Sequence, residues 1–120
     1  MKEEIQRWWV KAKDDLEKAI ILFQNKKYDG TAFYCQQAIE KALKALALKE
    51  KNNIKKIHDL VQLGKDINLP NNLLAHCKKI TQSYIYTRYP DIEEVKNMDK
   101  IAFQFLDATK EILQWIKEKI

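Results

Sequence analysis

The chain has 120 residues, a formal net charge of +5 and an apolar share of 46%, which is ordinary for a globular protein. Gly and Pro together number four, which excludes a loop-rich chain and favours long uninterrupted helices. No run of 18 uncharged apolar residues exists, and the opening MKEEIQRWWVKAKDD has no apolar core. We therefore expect one cytoplasmic domain over residues 1–120, with neither a membrane span nor a signal peptide.

Two long helices are predicted in the first half of the chain. A stripe with steps of four and three predicts a helix over about residues 2–25, and its members are Ile5, Trp9, Ala12, Leu16, Ala19 and Phe23. Tyr28-Asp29-Gly30 is predicted to form a short turn. The second helix, about residues 29–50, has an apolar face made of Ala32, Cys35, Ile39, Ala42, Leu43 and Leu46.

The second half of the chain predicts one short helix and two long ones. A short helix is expected over about 57–66, followed by a loop at 68–72. The next helix must end near Tyr89, because the residue before Pro90 avoids the α region. A last apolar stripe, after an acidic loop, predicts a helix over about residues 99–119. The prediction is an all-α domain, an up-down four-helix bundle with one additional short helix.

Metal and cofactor motifs are absent from the sequence. There is no CxxC, no HxxxH and no phosphate-binding glycine motif, and His58 and His76 are 18 residues apart. Cys35 and Cys77 fall at apolar positions of helical patterns, so we expect two buried free thiols. No metal site and no cofactor are predicted.

A first polar constellation lies on the half of the second helix opposite its apolar face. It consists of Gln36, Gln37, Glu40, Lys41 and Lys44. Lysines on such a face can hold a phosphate, and Gln and Glu can contact a base or ribose. The alternative is an ordinary solvated face with Glu40 and Lys44 as a surface ion pair.

The positive charge is concentrated in one segment. Residues 41–56 contain six lysines and one glutamate. This local excess suits an anion, RNA or an acidic partner. Lysines near a helix C-terminus are also favoured by the helix dipole alone.

A second constellation is the stretch SYIYTRYPDIEE, residues 83–94, which contains one of only two arginines. Arg88 can clamp a phosphate bidentately while it stacks on Tyr84 or Tyr89. Alternatively, Arg88 caps its own helix or pairs with Asp91 or Glu94. A third candidate is His58 beside Asp59, a proton carrier next to an acid, for which a structural role at the start of the short helix is the alternative.

Four motifs in order resemble the HEPN family (higher eukaryotes and prokaryotes nucleotide-binding), in its small prokaryotic form. They are Trp9 with Ala12 and Asp15-Leu16, then AFYCQQAIEKALKAL at residues 32–46, HDLVQL at 58–63, and RYPD at 88–91. The resemblance implies a helical bundle, commonly a homodimer, that is often encoded beside a small nucleotidyltransferase. Such a pair behaves as a toxin–antitoxin module or as a split nucleotidyltransferase with a substrate-binding subunit.

The sequence departs from the family in one respect. Many HEPN proteins are metal-independent RNases that use an Arg followed after four to six residues by a His, and neither Arg7 nor Arg88 is followed by that His. We therefore expect no catalytic residue and a nucleotide- or RNA-binding subunit that acts with a nucleotidyltransferase. A divergent RNase using Arg88 and His58, or a purely structural interaction module, are the alternatives. The predicted ligand-binding residues are Gln37, Lys41, Lys44, His58, Asp59, Tyr84, Arg88, Tyr89 and Asp91.

Overall fold

The computed structural model describes residues 2–88 and 97–120, and the side chains of these except 83–88. The helices are α1 (Glu3–Gln24), α2 (Tyr28–Lys51), α3 (Leu60–Asp66), α4 (Asn71–Arg88) and α5 (Met98–Lys119). The described residues contain no strand. The predicted all-α architecture, four long helices and one short one, is therefore confirmed.

Helix α2 is the centre of the bundle, because it packs against all four other helices. The whole of its predicted apolar face is buried, with exposed fractions of 0–1%. The α1 and α5 stripes line the same core, although Leu16, Phe23, Ile101 and Trp115 lie at its edge and are only partly buried. A central helix has little surface left for solvent, so some of its polar side chains are buried as well.

Helices α1 and α2 approach closely where the chain turns between them. A Cβ atom on Gly30 would lie 2.8 Å from the Cδ1 atom of Leu22, so this crossing uses a residue without a side chain. The prediction of a turn at 28–30 is wrong, because these residues form the first turn of α2. The chain reverses instead at Asn25–Lys27, where Lys26 adopts a positive φ of 58°.

The α2–α3 connection is anchored at both ends. Helix α2 ends where Asn52 enters the left-handed region, at φ 51° and ψ 33°, a conformation that Asn tolerates better than most residues. At the other end, the Asp59 carboxylate accepts hydrogen bonds from the backbone N–H groups of Val61 (3.0 Å) and Gln62 (3.2 Å). This is an N-cap for α3, and it fixes the backbone directly after His58.

Both cysteines are free and buried, as the sequence predicts. Burial raises the pKa of the Cys35 thiol to about 11, partly countered by a hydrogen bond with Thr109, and raises the pKa of Cys77 to about 12. Within the described part of the chain, no helix is long and apolar enough to span a membrane.

Candidate functional site

Three polar side chains of α2, each four residues from the next, are buried. Gln36, Glu40 and Lys44 have exposed fractions of only 9%, 6% and 5%. The expectation of a solvated face with a surface Glu40–Lys44 pair is therefore wrong. Helix α1 and the chain before α3 cover this side of α2, and the covering residues include Trp8, whose ring lies 5.8 Å from Lys44 Nζ.

The Glu40 carboxylate joins a buried cation to an exposed histidine. Its Oε2 atom lies 3.1 Å from Lys44 Nζ and 3.0 Å from His58 Nδ1. The side chains of Lys44 and Glu40 are 6% and 8% exposed, whereas that of His58 is 82% exposed. A hydrogen-bonded chain thus leads from inside the bundle to the surface, and His58 is its accessible end.

A second buried carboxylate, Asp15 on α1, neutralises Lys41. Asp15 is 1% exposed and accepts a hydrogen bond from Lys41 Nζ. Lys11 Nζ and Lys18 Nζ each lie 3.8 Å from the other oxygen of Asp15. Neighbouring Asp14 is exposed, and the hydrogen bond and charge of Lys18, with Lys11, lower its pKa.

Most lysines of the basic segment 41–56 already have hydrogen-bond or ion-pair partners within the protein. Besides Lys41 and Lys44, Lys49 donates hydrogen bonds to the backbone oxygens of Lys119 (2.9 Å) and Ile120 (2.7 Å). Lys55 Nζ lies 2.8 Å from Asp66 Oδ2, and the hydrogen bond from Lys55 contributes most to the lowered pKa of Asp66. Among the described residues, Lys51 and Lys56 have no ion-pair partner, so they carry the free positive charge of this segment.

A groove of about 290 Å³ lies between the end of α2 and α3. Lys51, Asn53 and Lys55 line one part of it, and Leu63 and Asp66 of α3 line another. The same connection carries Lys56 and His58. Cationic, amide and imidazole groups are therefore available on one short segment. The described residues contain no group of three His, Cys, Asp or Glu side chains placed to hold a metal ion.

The sequence of residues 5–120 matches the model of the HEPN domain. The chain belongs to the HEPN family. This membership points to a nucleotide- or RNA-related function. The comparison with curated proteins found no match.

Two solved structures are similar to this HEPN domain over nearly its full length. The crystal structure of TT1696 from Thermus thermophilus has a TM-score of 0.84 and 27% sequence identity, covering 99% of this chain and all of the other. The crystal structure of ST0689, an archaeal HEPN homologue, has a TM-score of 0.77 and 28% identity, covering 98% of each chain.

The predicted site residues of this HEPN domain fall into separate places. His58 is accessible, Gln37 is partly buried, Lys41 and Lys44 are paired with carboxylates, and Asp59 serves as the α3 cap. The Tyr84 and Arg88 side chains, and all of Tyr89 and Asp91, lie outside the described residues. Among the predicted residues whose side chains the structure describes, Lys44 and His58 are brought together through Glu40.

Asp15 was not considered as a site residue, and Gln36 and Glu40 were weighed as base or ribose contacts but left out of the predicted ligand-binding set. Asp15 and Glu40 hold the lysines, and the Gln36 Oε1 atom is buried without a hydrogen-bond partner among the described residues. The available signal was the spacing of Gln36, Glu40 and Lys44 at steps of four in residues 32–48, which are otherwise apolar or aromatic except for Gln37 and Lys41.

Proposed function

We propose that this HEPN domain is a non-catalytic subunit that binds a nucleotide or RNA and acts with a small nucleotidyltransferase partner. The observation that carries the proposal is His58, whose ring is held at one nitrogen by a buried ion pair while its side chain is 82% exposed. The family membership supplies the ligand class.

Two exposed lysines near His58 in the sequence support an anionic ligand. Lys56 precedes His58 by two residues in the same connection, and Lys51 lines the groove between the end of α2 and α3. Both side chains are exposed. Lysine ammonium groups attract phosphate without demanding a fixed geometry, so these residues suit a phosphate next to the histidine. Arg88, with Tyr84 or Tyr89 as a stacking surface, stays a predicted second contact.

Binding is tested by fluorescence anisotropy of a labelled ten-nucleotide RNA at low salt. Lys56→Gln should weaken binding by about two- to fivefold, because one phosphate contact is lost. The matched control is Lys27→Gln. Lys27 is an exposed lysine directly before α2, and this 24-residue helix separates it by about 35 Å from Lys51 at the other end. Equal affinities for all three proteins, or no binding, would count against the proposal.

The partner and the oligomeric state need separate tests. Phe33 on α2 keeps 37% of its surface exposed and meets the edge of Tyr34, with ring centroids 5.0 Å apart. An aromatic pair at the surface supports a homodimer, and sedimentation equilibrium at micromolar concentration should give twice the 14.3 kDa monomer mass.

A gene for a small nucleotidyltransferase next to this one, and co-purification of the two products, would support the partner.

Two alternatives have distinct outcomes. RNA cleavage without added metal that is lost in Arg88→Ala would favour a divergent HEPN RNase. A protein whose melting temperature does not rise with mononucleotide or RNA would favour a structural interaction module, because a ligand that binds only the folded state must stabilise it.

A further inference from the structure

The hydrogen-bonding capacities of Lys44, Glu40 and His58 fix where the imidazole proton lies. A lysine ammonium group only donates, and a carboxylate only accepts. Glu40 Oε2 therefore accepts from Lys44 Nζ at 3.1 Å, and the 3.0 Å contact with His58 requires a proton on Nδ1. When the ring is neutral, the other nitrogen, Nε2, then carries a lone pair and no proton.

The surroundings of the ring keep that lone pair available. The His58 side chain is 82% exposed, and its only hydrogen bond within the described residues is the one to Glu40. The carboxylate of the next residue, Asp59, is already used by the α3 N-cap, where it accepts from Val61 and Gln62. His58 is thus held at its ring by Glu40 and at its backbone by the cap, with Nε2 as the free acceptor.

A neutral acceptor in the same connection as an exposed lysine suits one part of a nucleic acid in particular. Phosphate oxygens only accept hydrogen bonds, so they match Lys56 and not a neutral Nε2. The ribose 2′-hydroxyl can donate, and it is the group by which a protein distinguishes RNA from DNA. Within an RNA strand, each 2′-hydroxyl lies beside a phosphate, and Lys56 precedes His58 by two residues with its side chain exposed.

We propose that Glu40 is a positioning residue that fixes His58 as the Nδ1–H tautomer, so that Nε2 accepts a hydrogen bond from a ribose 2′-hydroxyl of bound RNA. This inference rests on the proposed function and adds to it a preference for RNA over DNA. Lys44 acts one step further away, since its buried ammonium group donates a hydrogen bond to Glu40 Oε2 and holds that group in place.

The first experiment reads the tautomer without any ligand. Nitrogen-15 spectra of the histidine rings at pH 8, where histidine is ordinarily neutral, should show the His58 proton on Nδ1. His58→Ala assigns the signals, and His76 provides an internal reference. In Glu40→Gln, the population should shift towards the Nε2–H tautomer. A wild-type ring protonated at Nε2 would overturn the positioning role.

The second experiment compares binding of a ten-nucleotide RNA and a DNA of the same sequence at pH 8. The wild type should bind RNA about three- to tenfold more tightly than DNA, the range expected for one hydrogen bond. His58→Ala and Glu40→Gln should both lose this preference, whereas Lys56→Gln should weaken RNA and DNA binding by the same factor. If Glu40→Gln does not fold, Glu40→Gln combined with Lys44→Met removes the unpaired charge and takes its place.

The outcomes separate the inference from the proposed function. RNA binding with no preference over DNA, or a preference that survives His58→Ala, overturns the inference and leaves the binding function standing. Binding of neither nucleic acid overturns both. A preference that depends on His58 and Glu40, together with the Nδ1–H tautomer, supports the inference.

Discussion

The buried carboxylate of Asp15 should be one of the most sensitive positions for stability. Asp15→Ala would leave the Lys41 ammonium group without its acceptor, inside a cluster that also contains Lys11 and Lys18. Breaking a buried ion pair at one partner costs about 3–5 kcal/mol. The Lys41 side chain keeps 19% of its surface exposed, so we expect the lower end, about 3 kcal/mol. For a chain of this length, that lowers the melting temperature by roughly 10 °C.

Asp14 provides the matched control, because it contacts the same two lysines from an exposed position. Its carboxylate lies 3.5 Å from Lys11 Nζ and 3.3 Å from Lys18 Nζ, and its side chain is 49% exposed. Asp14→Ala removes the same charge and should barely move the urea denaturation midpoint. If Asp15→Ala and Asp14→Ala have equal midpoints, burial does not decide the contribution of Asp15.

A double variant tests the cause of the Asp15 effect. Lys41→Met removes the charge that Asp15→Ala strands, so the double variant Asp15→Ala/Lys41→Met should be more stable than Asp15→Ala alone. Equilibrium urea unfolding of the four proteins in this cycle gives the coupling free energy between the two residues. A double variant that is less stable than Asp15→Ala would refute the reasoning, because the loss would then come from packing and not from an unpaired lysine.

Three further predictions concern thiols, packing and the arginine. The folded pKa values of Cys35 and Cys77, about 11 and 12, lie above the ordinary value of 9.0. The unfolded chain therefore loses thiol protons first, and the unfolding free energy falls as pH rises from about 9 to 11 for Cys35 and to 12 for Cys77. Both thiols should react with a disulfide reagent at about pH 8.5 promptly in urea and slowly in the native state. Gly64→Ala would place a Cβ atom 2.7 Å from Leu74 Cδ2 and 3.1 Å from Leu69 Cδ2. Both atoms end flexible side chains that can move, and alanine favours a helix over glycine by about 1 kcal/mol, so the unfolding free energy should change by less than about 1 kcal/mol in urea titrations. Arg88→Lys should weaken RNA binding by about ten- to a hundredfold if the guanidinium clamps a phosphate, and its denaturation midpoint should not change. Unchanged RNA affinity in Arg88→Ala would rule out that role.

Hydrophobic periodicity was sufficient to predict the architecture, because the core is built from regular stripes on helices. Residues such as Ala12 and Ala19 on α1 and Ile112 on α5 recur at helical spacing and are fully buried. Helix ends were predicted less accurately. Tyr28 begins α2 although its neighbours Asp29 and Gly30 favour a turn. Gly30 instead lies where α1 and α2 approach closely.

Burial of the polar row on α2 could not be predicted from the sequence. Read as an isolated amphipathic helix, α2 has one apolar face and one polar face, and the polar face is assigned to solvent. Glu40 and Lys44 are buried because other elements cover that face, and which elements do so depends on tertiary packing. The acceptor for Lys41 is likewise Asp15, 26 residues earlier in the chain. Pairs between residues so distant in sequence leave no periodic signal in a single chain.

The buried pair at Glu40 and Lys44 is poorly explained by stability. Well-packed apolar residues of similar volume are often as stabilising as a buried ion pair, since removing two charges from water costs several kcal/mol. The pair instead has a geometric consequence that apolar residues cannot provide. A carboxylate held in place by Lys44 gives His58 a fixed acceptor for its Nδ1–H group. An imidazole with no such acceptor can rotate and exchange tautomers at the surface. The burial of these charges therefore fits the proposal that His58 presents one defined nitrogen to a ligand.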